Sequence, residues 1–433
     1  MKLTTPKHLL VEREVTIEAI AAGGDGLGFI DLNSKRRAVF VPDSAPGDRM
    51  SVTINPNERP LRALRFSLIA SGPLRVTPEC EHAKDCGGCN WMHLSVAGQG
   101  ETIQHLLQDA IPNAPKVHLH QAAKRNESRT RARLHIDGKS RLAVGFYAKR
   151  SHDIVEPSRC IVLHPALELA RIRLPSWLAG VSGFGDAHLA LGRPGTASRP
   201  VVLTLDWKVD PSPKLFAALE RVVASGELAG AAVRHEGVRK PLFIGDPNPW
   251  LIAADGEPLE LGAFGFAQAS ESTNTQLVNQ VAYWAAQVLG NGERRVVELY
   301  AGAGNLSILL AKSAIDYVLV ESDAAACEAA SRNIAARGLA ARVIHADAST
   351  LEWKASTRLL VLDPPRAGAI EVMHRLVEKP VRNVVYVSCD PSTLSRDVAI
   401  LIKHGYKLRA LEAFEMFPHT SHFETLAVLT RKR

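Results

Sequence analysis

From about residue 295 the chain alternates short apolar runs with helix-like stretches. Residues 295–300, 317–320, 342–345, 359–362 and 384–387 are mostly Val, Leu and Ile. Strands apolar on both faces belong in a parallel sheet covered on both sides. Residues 306–312 and 324–338 read as helices between them, the second stopped by Gly338. Residues 406–414 and 423–430 follow as a strand pair with no helix between, so the last strand is expected to run antiparallel.

The beginning of the chain has a different pattern. Residues 15–20, 38–41 and 51–54 are short strands separated by Gly- and Pro-rich turns at 23–28 and 42–47. Short strands at this spacing predict a small β-barrel. The glycines at 23–28 have no P-loop Lys-Ser/Thr after them and read as hairpin turns. Between these regions lie β-rich segments such as 201–205 and 242–244, punctuated by Pro and Gly, whose topology the pattern does not fix. A chain of 433 residues exceeds one ordinary core. Three domains are expected: 1–70, 71–264 and 265–433.

Composition narrows the class. The chain is 46% hydrophobic and 22% charged, as globular proteins are, and has no apolar run long enough to span a bilayer. Lys2 and Lys7 are not followed by a signal-peptide core. A cytoplasmic location without a membrane partner is expected. The net charge of +7 and pI near 9.1 suit a polyanionic partner. The excess concentrates at 124–150, with nine Lys or Arg against two acidic residues. Arg129, Arg131 and Arg133 alternate, which would put three guanidiniums on one strand face, either to contact phosphate or simply to face solvent.

The candidate chemistry lies in four places. Cys389 follows the apolar run 384–387 and precedes Asp390-Pro391, with a helix expected to open at Ser392 or Thr393. That holds a thiol at the carboxyl end of a strand, where open α/β sheets bind ligands, and beside a helix N-terminus, which lowers a thiol pKa. The alternative is a small buried core residue. Second, Glu298-Leu-Tyr300-Ala-Gly302-Ala-Gly304-Asn305 is a strand end and glycine loop lacking the third dinucleotide glycine, where Ser307 stands. Glu321 ends the next strand, placed for ribose hydroxyls, and Asp347 ends the third, placed for an adenine amino group. This ordered set describes an S-adenosylmethionine site. Third, Asp363-Pro-Pro-Arg366 sets a carboxylate on a rigid turn. Amino-group methylation would favour an aromatic in place of Arg366, so nucleophilic chemistry at Cys389 fits better. Glu424, in His419-Thr-Ser-His422-Phe-Glu424, is a candidate general base. Fourth, Cys80, Cys86 and Cys89 fall within ten residues and Cys160 lies downstream. Reduced thiols grouped this way suit an iron–sulfur cluster or a structural zinc.

In this order, the stretches 298–305, 363–366 with Gly368, 388–397 and 422–425 resemble the RNA uracil-5-methyltransferase family. The run Ser388-Cys-Asp-Pro-x-Thr-Leu-x-Arg-Asp397 is highly specific for it. The resemblance implies an α/β class I S-adenosylmethionine-dependent (Rossmann-like) domain. The opening barrel looks like an OB-like TRAM domain that binds RNA, and the four cysteines look like the family's [4Fe–4S] site in a β-rich central domain. With both features present, the branch that acts on 23S rRNA is implied. A tRNA uracil methyltransferase and a dual-site rRNA enzyme are alternatives from the same family. A non-catalytic RNA-binding assembly protein is the alternative from another class. Carried over by resemblance, Cys389 is the nucleophile and Glu424 the base. Gln268, Tyr300, Asn305, Glu321, Asp347 and Asp363 are cofactor contacts, and a monomer is expected. One departure stands out. Ser270 occupies a position where the family has Asn, which would weaken a cofactor or uracil contact made there.

Overall fold

The computed structural model describes residues 10–32, 34–139, 141–195, 199–238, 240–290 and 295–432; all structural statements here concern these residues. Of the expected N-terminal segment, residues 1–9 with Lys2 and Lys7 lie outside them. The described chain divides into two compact units, Met1–Pro112 with His419–Ser421, and Asn113–Pro418 with His422–Arg433.

In the first unit, β1 (Val11–Ile20), β2 (Gly26–Leu32), β3 (Lys35–Val41), β4 (Arg49–Ile54) and β5 (Leu61–Ala70) close into a barrel in the order β1-β2-β3-β5-β4. Inward residues alternate along the strands: Val15, Ile17, Ile30, Val39, Val41, Met50, Val52 and Ile54 are buried together. A buried ion pair holds the segment after β5. Asp48 is fully enclosed and accepts from Arg75 Nη2 at 2.6 Å, Gly72 N at 2.8 Å and Ala45 N at 2.6 Å. Burial alone would raise its pKa; the Arg75 guanidinium and the two amides overcome this and hold it below the usual range. Helix α1 (Val96–Ala110) is capped by the Ser95 hydroxyl, which accepts from Gly98 N. His419–Ser421 belong to this unit. His419 N donates to Gln99 Oε1 at 2.9 Å, its carbonyl accepts from Trp91 N, and Ser421 N donates to Asn90 Oδ1.

The second unit contains two large sheets. After β6 (His118–His120) come β7 (Arg131–Asp137), β8 (Ala143–Tyr147), β9 (Ile154–Val155), α2 (Pro165–Trp177), β10 (Phe184–Leu191), β11 (Val201–Trp207), α3 (Pro213–Ala224), β12 (Gly230–His235) and β13 (Leu242–Gly245). Their sheet runs β13-β12-β11-β10-β7-β8-β9. Leu134, Ala187, Leu189, Leu203 and Leu205 pack with Leu167 and Leu174 of α2 and Leu215 and Leu219 of α3. Arg131 and Arg133 share the face of β7 opposite the buried Leu134 and Ile136, as alternation predicts, but the three arginines differ in their surroundings. Arg129 precedes β7 and lies over the Phe417 ring. Burial lowers the Arg131 pKa to about 10. Arg133 is exposed and paired with Asp186 at 2.8 Å. Alternation sets the shared face of Arg131 and Arg133, and packing sets their different exposure.

A short hairpin, β14 (Trp250–Ile252) and β15 (Pro258–Glu260), leads to α4 (Glu271–Leu289). Then follow β16 (Arg295–Leu299), α5 (Ser307–Leu310), β17 (Asp316–Glu321), α6 (Ala324–Ala336), β18 (Arg342–His345), β19 (Leu359–Leu362), α7 (Ile370–Glu378), β20 (Asn383–Ser388), α8 (Pro391–Lys403), β21 (Tyr406–Phe414) and β22 (Glu424–Arg431). The sheet order is β18-β17-β16-β19-β20-β22-β21-β6. The first five strands are parallel, and β22 runs antiparallel to both β20 and β21, as the sequence predicts. The expected helix at 306–312 is shorter, Ser307–Leu310. The β6 edge strand, paired in parallel with β21, has only three residues and gives no pattern to read. No described helix is long and apolar enough to cross a membrane.

Ser270 has a clear local role. It is buried and caps α4, its hydroxyl accepting from Thr273 N. Asn caps helices as well as Ser does. Ser270→Ala is therefore expected to lower stability in urea unfolding by about 1 kcal/mol, and Ser270→Asn to leave it nearly unchanged. Equal losses for the two would mean that the cap is not what Ser270 contributes.

Candidate active site

The parallel strands bring their carboxyl ends to one edge. Tyr300–Asn305 follow β16, Glu321 ends β17, Asp347 lies two residues past β18, Asp363 follows β19 and Cys389 follows β20. Because β22 is antiparallel, its first residue, Glu424, is at that same edge. The register makes this specific. Ser388 pairs with Thr425, so continuing the ladder by one residue sets Cys389 opposite Glu424.

Helix α8 begins at Pro391, one residue before the expected opening, and Asp390 caps it. Its carboxylate accepts from Ser392 N at 2.9 Å and Thr393 N at 3.0 Å. The expected lowering of the thiol pKa is overturned. The Cys389 pKa is pushed up to about 11, first by burial and then by the Glu424 and Asp363 carboxylates, with Arg366 opposing them. Desolvation and two acidic neighbours outweigh the helix terminus. The Glu424 carboxyl is buried, and its pKa is raised well above the usual range by burial and by Asp363, again opposed by Arg366. Burial lifts Asp363 to about 7. Arg366 itself is exposed. The site therefore gathers a half-buried thiol, a half-buried acid and a buried one, with the exposed Arg366 cation in electrostatic reach.

The glycine loop is tied to the acid that ends β17. Gly302 N donates to Glu321 Oε2 at 2.9 Å, while Ser322 N and Asp323 N donate to Oε1 at 2.7 and 2.8 Å. Tyr300, at φ +61°, turns the chain into the loop in a conformation few L residues adopt. The Asn305 and Asn274 amides pair reciprocally at 2.8 and 3.0 Å. Asp347 is exposed, and its carboxylate accepts from Ser349 N and Oγ, both at 2.7 Å. Beneath the loop, Glu298 is fully buried and accepts from Ser307 Oγ and Tyr317 Oη at 2.5 Å each; burial raises its pKa to about 7. Gln268 is buried, yet its Oε1 has no hydrogen-bond partner. Buried amide oxygens are rarely left so, and a ligand's donor would satisfy this one. Together with the strand-end acids, it fits a bound S-adenosylmethionine.

Sequence reasoning had no signal for Glu298 as a buried acid, for the Asn274 partner of Asn305, or for the electrostatic role of Arg366. His419, which also stood near Glu424 in sequence, is held in the first compact unit. For the cysteines, all six are free of disulfides. The Cys86 Sγ accepts from Gly88 N at 3.4 Å, as a thiolate ligand can. Among the described residues, no group of three or more His, Cys, Asp or Glu is arranged to hold a metal ion. The cluster thus rests on residue type and spacing.

Residues 347–432 match a family model described as tRNA (Uracil-5-)-methyltransferase, and 282–385 match one described as Methyltransferase small domain. A Halomonas elongata protein named 23S rRNA (uracil(1939)-C(5))-methyltransferase RlmD is 32% identical over 439 residues, covering 96% of this chain and 89% of that one. One of the same name from Edwardsiella ictaluri is 30% identical, covering 98% of both chains. The chain belongs to the RlmD branch of the RNA uracil-C5-methyltransferase family. It is accordingly an enzyme, a methyltransferase. The solved Pyrococcus abyssi tRNA (uracil-54, C5)-methyltransferase in complex with S-adenosyl-L-homocysteine shares the fold, with a TM-score of 0.75, 24% identity and coverage of 96% of this chain and 100% of that one.

The raised thiol pKa has a measurable sign. The thiolate is the reacting form, so alkylation of Cys389 should quicken as pH rises toward about 11, not level off below 9. Glu424→Gln removes one neighbouring negative charge and should lower the midpoint. Mass spectrometry of the alkylated Cys389 peptide across pH would measure both, and a wild-type midpoint near 8 would refute the burial argument.

Proposed function

We propose that this enzyme transfers the methyl group of S-adenosylmethionine to C5 of one uracil in 23S rRNA, through a covalent adduct between Cys389 and uracil C6. The observation that carries the reading is the β20–β22 register, which sets a thiol opposite a buried acid at the ligand edge of the sheet. Relatives covering nearly the whole chain bear the 23S rRNA name, which favours rRNA over tRNA.

The chemistry asks for these groups. Uracil C5 is a weak nucleophile. The Cys389 thiolate adds to C6, and the electron pair moves onto C5 and O4 as an enolate. S-adenosylmethionine, when bound, supplies an electrophilic methyl. C5 takes it and then carries both a methyl and a proton. The Glu424 carboxylate removes that proton, C5=C6 re-forms and the thiolate leaves. Burial weakens Glu424 as an acid and so makes its ionised form a stronger base. Asp363 orients the base or the cofactor, and Gln268, Tyr300, Asn305, Glu321 and Asp347 complete the cofactor site. The target base must leave its stack to reach the pocket.

The proposal assigns residues 1–70 as a TRAM RNA-binding barrel, 71–264 as the central domain and 265–433 as the methyltransferase domain, in a cytoplasmic monomer. It also assigns a [4Fe–4S] cluster to Cys80, Cys86, Cys89 and Cys160, supported by four disulfide-free thiols.

Two experiments test this. Cys389→Ala should abolish methylation of rRNA while cofactor still binds, and Glu424→Gln should accumulate a denaturation-resistant protein–RNA adduct carrying the transferred methyl. Normal turnover by either variant, or a Glu424→Gln stall before methyl transfer, would reject the assigned roles. Anaerobically purified protein should hold about four irons per chain with broad visible absorbance. One zinc and no iron would replace the cluster with a structural zinc.

A further inference from the structure

The signature after Cys389 ends in Thr393, Arg396 and Asp397, which the proposed chemistry does not use. These are positions i, i+3 and i+4 of α8, so they share one helix face. That face grips the loop carrying Asp363 and Arg366. Thr393 Oγ1 donates to the Arg366 carbonyl at 3.2 Å, Arg396 Nη2 donates to the Ala367 carbonyl at 2.9 Å, and Ala369 N donates to Asp397 Oδ2 at 2.7 Å. The clamp is braced in turn. Asp397 is fully buried, its Oδ2 accepts from Tyr386 Oη at 2.7 Å, and its Oδ1 accepts from Arg396 Nε at 2.8 Å. Tyr386 lies in β20, three residues before Cys389.

Gly368 shows how close the grip is. At φ +76° it passes directly beneath the three side chains. A Cβ there would stand 2.6 Å from Arg396 Nη2, 2.7 Å from Asp397 Oδ2 and 3.1 Å from Thr393 Cβ. Only glycine gives both the conformation and the space.

We propose that Thr393, Arg396 and Asp397 are positioning residues, which lock the 363–369 loop to the strand–helix unit bearing Cys389 and so hold Arg366 and Asp363 in their working geometry. The charged groups that act on the thiol are Glu424 from β22 and Asp363 and Arg366 from this loop; of the two loop groups Asp363, the stronger, opposes the thiolate and Arg366 favours it. A loosened clamp lets both loop charges drift from the thiol, and the larger effect lost is that of Asp363. The catalytic consequence rests on the functional reading above; the effect on the thiol does not.

The test is the double variant Thr393→Val/Arg396→Gln in the full chain, with Thr393→Ser as the conservative control. S-adenosylhomocysteine affinity and thermal unfolding are measured first, and the single Thr393→Val variant stands in if the double variant does not fold. The pH midpoint of Cys389 alkylation is expected to fall by roughly half a unit or more, because Asp363, the stronger of the two loop charges on the thiol, drifts together with Arg366. On rRNA, kcat should fall about tenfold or more, from misplacement alone, with KM for RNA within about twofold. Thr393→Ser should match the wild type. An unchanged midpoint and kcat in the double variant would overturn the proposal, as would a loss confined to KM. If the wild type itself fails to methylate rRNA, the functional reading falls, while the alkylation midpoint still decides the clamp.

Discussion

The pairing of β20 with β22 is the constraint on which the site depends. Strand side chains alternate with a period of two, so a one-residue slip would turn Glu424 away from Cys389 and exchange the residues packed on the two covered faces of the sheet. The face shared with Cys389 and Glu424 includes Val385, Val387, Leu426 and Val428, all within one apolar cluster. Burying each such side chain is worth about 1.5–3 kcal/mol. The apolar core thereby enforces the alignment of two polar groups it does not contain.

The same core sets their chemistry. Cys389, Glu424, Asp363 and Glu298 all have raised pKa values, with burial as the first cause in each case. Such an environment favours neutral groups at rest, so charge appears only when reaction calls for it. It also separates the acids by function. Glu298 is saturated by Ser307 and Tyr317 and serves as a buttress, whereas Glu424 has no such pair of hydroxyl donors.

Much of this was legible in the sequence. The parallel strands from residue 295 and the closing antiparallel pair follow from two-sided hydrophobicity, and the strand-end positions of Glu321, Asp363 and Cys389 follow with them. The thiol pKa did not. A helix terminus is visible in a local pattern, but the burial and the two carboxylates that outweigh it come from strands far apart in sequence. For the arginine triplet, alternation gives the shared strand face of Arg131 and Arg133 but not what packs upon it. Ser270 shows the reverse case, in which a departure from the family pattern retains a local task that both residue types can perform.

The three residues His419–Ser421 interrupt the chain between two strands of the methyltransferase sheet, yet they are counted with the N-terminal unit, bonded to Asn90, Trp91 and Gln99. A cut after Pro112 would therefore take the first unit away without three of its residues, leaving Gln99 Oε1, Trp91 N and Asn90 Oδ1 without these partners.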